Sequence, residues 1–119
     1  MNLTRMLDTV KQHPDYHRAG MILCHNGVVR STSRNGQNVS GLMITVNHAK
    51  LQQVIATHKQ RPGIIEILVE INENRKLPVG ADVMFLIVAG DVRETVIRVL
   101  TDTLNAIKTT VTLKTEYFI

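Results

Sequence analysis

Residues Val83–Lys114 read VMFLIVAGDVRETVIRVLTDTLNAIKTTVTLK and carry three elements in succession. The run VMFLIVAG (83–90) is apolar on both faces. A strand with one wet face alternates polar and apolar residues; this one does not, so it is expected at the centre of a sheet with cover on both sides. Asp91-Val92-Arg93-Glu94 follows. Asp91 is placed to accept from first-turn amides and Glu94 to reach back, which has the character of a capping box. Val92, Val96, Val99, Leu100, Leu104 and Ile107 then make one apolar helical stripe. The β-branched run that begins at Thr109, TTVTLKTEYF, predicts a last strand.

Outward from this stretch, periodicity predicts the remaining elements. Leu3, Met6, Leu7 and Val10 stand at i, i+3, i+4 and i+7, a short amphipathic helix ending before Pro14. GMILCHNGVVR (20–30) reads as a strand interrupted by a bulge at Asn26-Gly27. Asn35-Gly36 is a hairpin signal, and VSGLMITV (39–46) is expected to return as the partner strand. Asn47 is suited to cap a helix through Arg61, with Leu51, Val54 and Ile55 inward, and Pro62-Gly63 stops it. IIEILVEI (64–71) is a strand with Ile65, Ile67, Val69 and Ile71 on one face and Glu66 and Glu70 on the other. NENRKLPVGAD (72–82) reads as a loop. The order α-β-β-α-β-β-α-β, in one domain over residues 1–119, predicts an α+β fold with helices packed on one largely antiparallel sheet.

Composition narrows the function. The chain has 119 residues, 44% hydrophobic and 20% charged, as expected of a soluble globular domain. Aromatics are 3% and Trp is absent, so the core is aliphatic. No apolar run reaches the roughly 18–20 residues of a membrane span, and MNLTRMLDTVKQHPD has no secretory h-region. Cys24 is the single cysteine, so no internal disulfide forms and the cytoplasm is the expected location. In its apolar strand Cys24 is expected to be a buried small hydrophobe. The net charge of +4 favours an anionic partner. The cations are scattered and few aromatics are present to stack on bases, which argues against nucleic acid. His13 and His17 have i, i+4 spacing but Pro14 lies between them, so no metal site is expected. No phosphate-binding loop and no nucleophile elbow occurs.

Four cations at element ends remain as candidates. Arg30 ends a strand. Arg93 stands in the first turn of the long helix, where amides favour anions. Lys108 ends that helix, a place where the dipole alone favours a cation. Lys114 lies in the last strand. Arg93 and Lys108 are 15 positions apart. That is about 22 Å of helix, too far for one small pocket in one chain. A larger ligand or a second subunit would have to join them. His25 is placed to face a cleft or solvent and decides nothing alone.

Three segments, HNGVVRSTSRNGQNVSGLMITVNH, INENRKLPVGADVMFLIVAGDVRETV and TDTLNAIKTTVTLKTE, carry a resemblance. In serial order over about residues 20–116, the chain resembles the large (catalytic) subunit of molybdopterin synthase, the MoaE-like family. The resemblance implies an α/β-hammerhead-like domain and a homodimer, with a small ubiquitin-like sulfur-carrier subunit bound at each end of it. It implies no cofactor of the protein's own. The activity implied is sulfur transfer from the carrier's C-terminal Gly-Gly thiocarboxylate to cyclic pyranopterin monophosphate, forming the molybdopterin dithiolene. Position by position, Arg30 matches the arginine of the family's G-x-V-R segment and Arg93 that of its H-R pair. Lys108 matches the lysine of L-K, and Lys114 that of W-K. The implied roles are catalytic for Lys108 and Lys114, and substrate-binding for Arg30 and Arg93.

The departures are specific. Val92 replaces the histidine of the H-R pair, Ile107 replaces the Leu of L-K, Leu113 replaces Trp, and Thr112 replaces Pro. The family often continues with a basic tail past the position of Ile119. The Lys108–Lys114 spacing is one residue shorter than usual. One residue on a strand reverses the face, so Lys114 reaches the site only if a gap or bulge restores the phase. The competing expectation is a non-catalytic dimeric homologue that serves as a binding or scaffold module.

Overall fold

The computed structural model describes residues 1–119. In chain order the elements are α1 (Leu3–Lys11), a 3-10 turn (Tyr16–Arg18), β1 (Met21–Val28), β2 (Val39–Val46), α2 (His48–Lys59) and β3 (Ile64–Ile71). They continue with β4 (Leu77–Pro78), β5 (Asp82–Gly90), α3 (Arg93–Ala106), a π-helical turn (Ile107–Val111) and β6 (Thr112–Phe118). This is the expected order, with the two-residue β4 added inside what reads as a loop.

β5 is the centre of the first sheet, β1-β5-β3, and both its pairings are antiparallel. Its residues from Met84 to Gly90 are all buried. One face, Phe85, Ile87 and Ala89, packs on Met6 and Val10 of α1. The other, Leu86 and Val88, packs with Ile67 on Val96 and Val99 of α3. Two apolar faces and two open edges explain why this strand draws two helices and two strands around it.

The expected hairpin between residues 20 and 46 does not form. β1 takes an edge of β5, whereas β2 lies in a second antiparallel sheet ordered β4-β2-β6. Asn35-Gly36 does turn the chain: Gly36 has φ +84°, and the Ser33 amide donates to Gln37 O at 2.9 Å. Only the bridge Thr32↔Asn38 pairs its flanks. The expected single sheet is therefore two. They meet through Val29, Leu42, Ile44 and Leu77, against which Ile71 and Val83 of the first sheet pack. Gly41 permits the β2–β4 contact, since a Cβ there would lie 2.5 Å from the Leu77 carbonyl oxygen.

Other local expectations divide in the same way. Asn47 caps α2, its side chain accepting from the Lys50 amide at 3.1 Å. The bulge in β1 falls at Gly27/Val28, one step from the expected place. The capping box at Asp91 is not made: the Asp91 carboxylate accepts from the Val92 amide at 2.7 Å, and Glu94 engages Arg93. Val92 is the N-cap residue and is exposed, so it leaves the apolar stripe. Cys24 is exposed rather than buried. It alternates onto the α1 face of β1 at a position α1 does not cover, and partial burial still pushes its thiol pKa up.

Candidate functional site

The residues after α3 place the site. A β-branched run was expected to extend there as a strand from Thr109, but residues 107–111 wind into a π turn. Its closing hydrogen bond runs from the Thr112 amide to Ile107 O. Ile107 and Val111 are buried with Leu51 and Met84, and the Asn47 amide donates to Val111 O at 2.8 Å. The hydroxyls of Thr109 and Thr110 donate back to Asn105 O at 2.9 Å and Ala106 O at 2.7 Å. Two buried anchors four residues apart and two back-bonding threonines suit a wide helical turn better than a strand.

The π turn settles the phase of β6. Thr112, Lys114 and Glu116 pair with Val46, Ile44 and Leu42 of β2. Directly paired residues share a face. Lys114 therefore stands on the side of Leu42 and Ile44, which is the side of the junction between the sheets. Leu113 points the other way and is 76% exposed.

A cleft of about 370 Å³ opens at this junction. β1 contributes His25, Gly27 and Val28; β5 contributes Val83 and Met84; β3 contributes Ile71. Leu42 and Ile44 of β2 form the apolar wall beside Thr112 and Lys114 of β6, and Lys108 enters from the π turn. Arg34 completes the lining from the loop between β1 and β2. Three cations and no carboxylate line this space, so its local potential favours an anion. His25 is half-buried, and its pKa is lowered first by burial and second by the charge of Lys108. Both effects favour the neutral imidazole.

The four sequence candidates separate. Lys108 and Lys114, on different elements, line one cleft. Arg30 is exposed beyond the cleft and donates its Nε to Thr32 O at 2.8 Å. Arg93 lies at the far end of α3, exposed and 3.4 Å from Glu94, and it does not reach the cleft of its own chain. Val92, at the same helix start, is equally remote from it. Two lining residues, Arg34 and His25, were not among the candidates. The alternation of His25 with Gly27 on β1 was a usable signal, since both fall on one face; Arg34 offered none beyond being a cation in a turn. No group of His, Cys, Asp or Glu side chains is arranged to hold a metal ion.

Fold and cleft together define a class: an α+β protein of two antiparallel sheets with an open cationic cleft at their junction. The family model described as MoaE protein matches residues 2–110, and the chain belongs to that family. Solved structures agree in fold. Molybdopterin synthase from Staphylococcus aureus superposes with a TM-score of 0.74 at 19% identity, over 91% of this chain and 85% of that one. The molybdopterin biosynthesis MoaE protein of Burkholderia ambifaria gives 0.77 at 14%, over 100% and 82%. A chain from the complex of subunits 1 and 2 of molybdopterin-converting factor from Helicobacter pylori gives 0.70 at 13%, over 99% and 84%. No curated protein matches the sequence.

Proposed function

We propose that this protein is the catalytic subunit of a molybdopterin synthase and acts in molybdenum-cofactor biosynthesis in the cytoplasm. It takes sulfur from the C-terminal thiocarboxylate of a small ubiquitin-like carrier and places it on cyclic pyranopterin monophosphate to make the dithiolene. Support comes from membership of the MoaE family. The observation that carries most weight is the meeting of Lys108 and Lys114 with Arg34 in one cleft free of carboxylates. Both the cyclic phosphate and the carrier's C-terminus are anions, and preorganised cations at developing negative charge are the largest usual source of catalysis.

In this reading Lys108 is the central catalytic lysine, serving proton transfer or a covalent intermediate, and Lys114 assists it. Arg30 and Arg93 bind substrate, although neither lines the cleft of its own chain. Arg93 does so from the second chain of a homodimer, which overcomes its distance from the cleft of its own chain. The carrier partner accords with the two-subunit complex named for the Helicobacter pylori relative.

Lys108→Ala tests the assignment. Incubated with thiocarboxylated carrier and cyclic pyranopterin monophosphate, the variant is expected to lose dithiolene formation by at least about 10²-fold. Its circular dichroism and dimer mass should be unchanged, because the side chain is exposed. Near-normal turnover would sink the assignment. The competing scaffold reading, motivated by Val92 in place of a polar residue, predicts no turnover by the wild-type chain in the same assay.

A further inference from the structure

The cleft holds one group that none of the roles above uses. Of its lining side chains, Lys108, Lys114 and Arg34 are cations, Thr112 is a hydroxyl, and all the others except His25 are apolar or glycine. Chemistry on an anion bound among cations still needs somewhere for a proton to go. Lys108 is already engaged in the transfer step at the acceptor. Of the remaining groups, an ammonium and a guanidinium have no lone pair to offer, and a threonine hydroxyl is too weak a base. An imidazole is the side chain suited to that task near neutral pH.

The ring of His25 is free for it. The histidine rings hydrogen-bonded within the chain are those of His13, His48 and His58, and His25 has no such partner. Its Nε2 lies over Gly27, where an added Cβ would stand 3.5 Å away, on the face of β1 that lines the cleft. Glycine at 27 thus leaves open space beside that nitrogen.

We propose that His25 is the general base of this cleft, activating the water that releases the carrier once sulfur has been transferred. The inference rests on the proposed function. A thiocarboxylate sulfur that has bonded to its acceptor is a thioester to the carrier's terminal carbonyl. Water oxygen bonds to that carbonyl carbon while His25 takes one water proton. The carbon–sulfur bond then breaks, and sulfur stays on the acceptor as a thiolate with the bonding electron pair. The carrier leaves as a carboxylic acid, which ionises, and His25 returns its proton to solvent. Lys108 and Lys114, which line the same cleft, are the cations available to stabilise the carbonyl oxyanion and the thiolate.

The charged groups facing His25 are Lys108 from the π turn, Lys114 from β6 and Arg34 from the β1–β2 loop; no carboxylate opposes them. Burial first, and Lys108 second, hold the imidazole below its ordinary value of 6.5, so the competent neutral form is present above that lowered value. Turnover should fall as pH drops through it.

The test uses the full chain with thiocarboxylated carrier and cyclic pyranopterin monophosphate. His25→Gln should lower kcat by about 10²-fold, leave KM for the pterin nearly unchanged and abolish the acidic limb of the pH–rate profile. Imidazole added to His25→Ala should restore part of the lost rate. In the wild-type chain the His25 ring signals should titrate below 6.5 by NMR, moving upward in Lys108→Met as the neighbouring charge is removed. Wild-type turnover with an unchanged kcat or an unchanged acidic limb in His25→Gln overturns this inference alone. Absence of wild-type turnover overturns the proposed function, and this inference with it.

Discussion

Arg34 reaches the cleft through a turn rather than through anything in its own side chain. Ser33 is buried, its amide donates to Gln37 O, and its hydroxyl oxygen accepts from the Gln37 amide at 3.1 Å. Gly36 takes the left-handed conformation that closes the loop. The guanidinium so held is suited to clamp a phosphate by two parallel hydrogen bonds. Arg34→Ala should raise KM for cyclic pyranopterin monophosphate about 10-fold with little change in kcat, the pattern of lost uniform binding. A steady-state series at fixed carrier concentration checks it, and an unchanged KM would remove Arg34 from the site. At this scale the sequence distinguished poorly between cations. Lys108, Lys114, Arg30 and Arg93 are alike as letters, and only the fold sets two of them at the cleft and two away from it. Cys24 shows the same limit. Its strand reads as apolar, yet whether an apolar position is covered depends on where α1 stops.

At the scale of elements, the segment from Ile107 to Lys114 sets which of its side chains line the cleft. As sequence it is a strand former. As structure its first part is a π turn, because Ile107 and Val111 bury together and threonine hydroxyls bond back to carbonyls one turn earlier. The pairing of Lys114 with Ile44 then follows. Inserting one alanine between Thr112 and Leu113 moves Lys114 to the outer face of β6, since side chains alternate with period two. β6 is an edge strand of its sheet. The insertion should therefore leave the thermal midpoint within a few degrees while turnover falls by about 10²-fold, as for a misplaced catalytic group. Full activity in that variant would show that Lys114 has no role. Elements whose reasons are local were legible: the doubly apolar β5, the Asn47 cap of α2 and the Val96–Val99 face of α3 all stand as read. Asp91-Val92-Arg93-Glu94 did not follow its pattern, because Arg93 and Glu94 pair with each other instead.

At the scale of the molecule, the chain is elongated, 48 × 25 × 24 Å; Arg93 opens α3 and Lys108 lies in the π turn just past its other end. In the proposed homodimer a site that uses Arg93 takes it from the other subunit. Chains carrying Arg93→Ala and chains carrying Lys108→Ala should each be inactive alone. Mixed after unfolding and refolding, they should recover about a quarter of wild-type turnover. Half of the dimers are then mixed, and one of the two sites in each holds both native residues. No recovery, with mixed dimers demonstrated by native mass spectrometry, would place Arg93 outside the site or within a single chain.

The sequence by itself determined the kinds and order of elements and the family's serial pattern, because hydrophobic period, caps and turn residues act between neighbours along the chain. It also determined that the core is aliphatic and that the charge favours an anion. Only the tertiary structure decided that β1 and β2 part into different sheets, that residues 107–111 wind instead of extending, and that Lys108, Lys114, Arg34 and His25 meet. The physical reason is common to all three. A strand's partner and a turn's width are chosen by which distant residues bury them best. That choice belongs to the assembled core, not to any window of the chain.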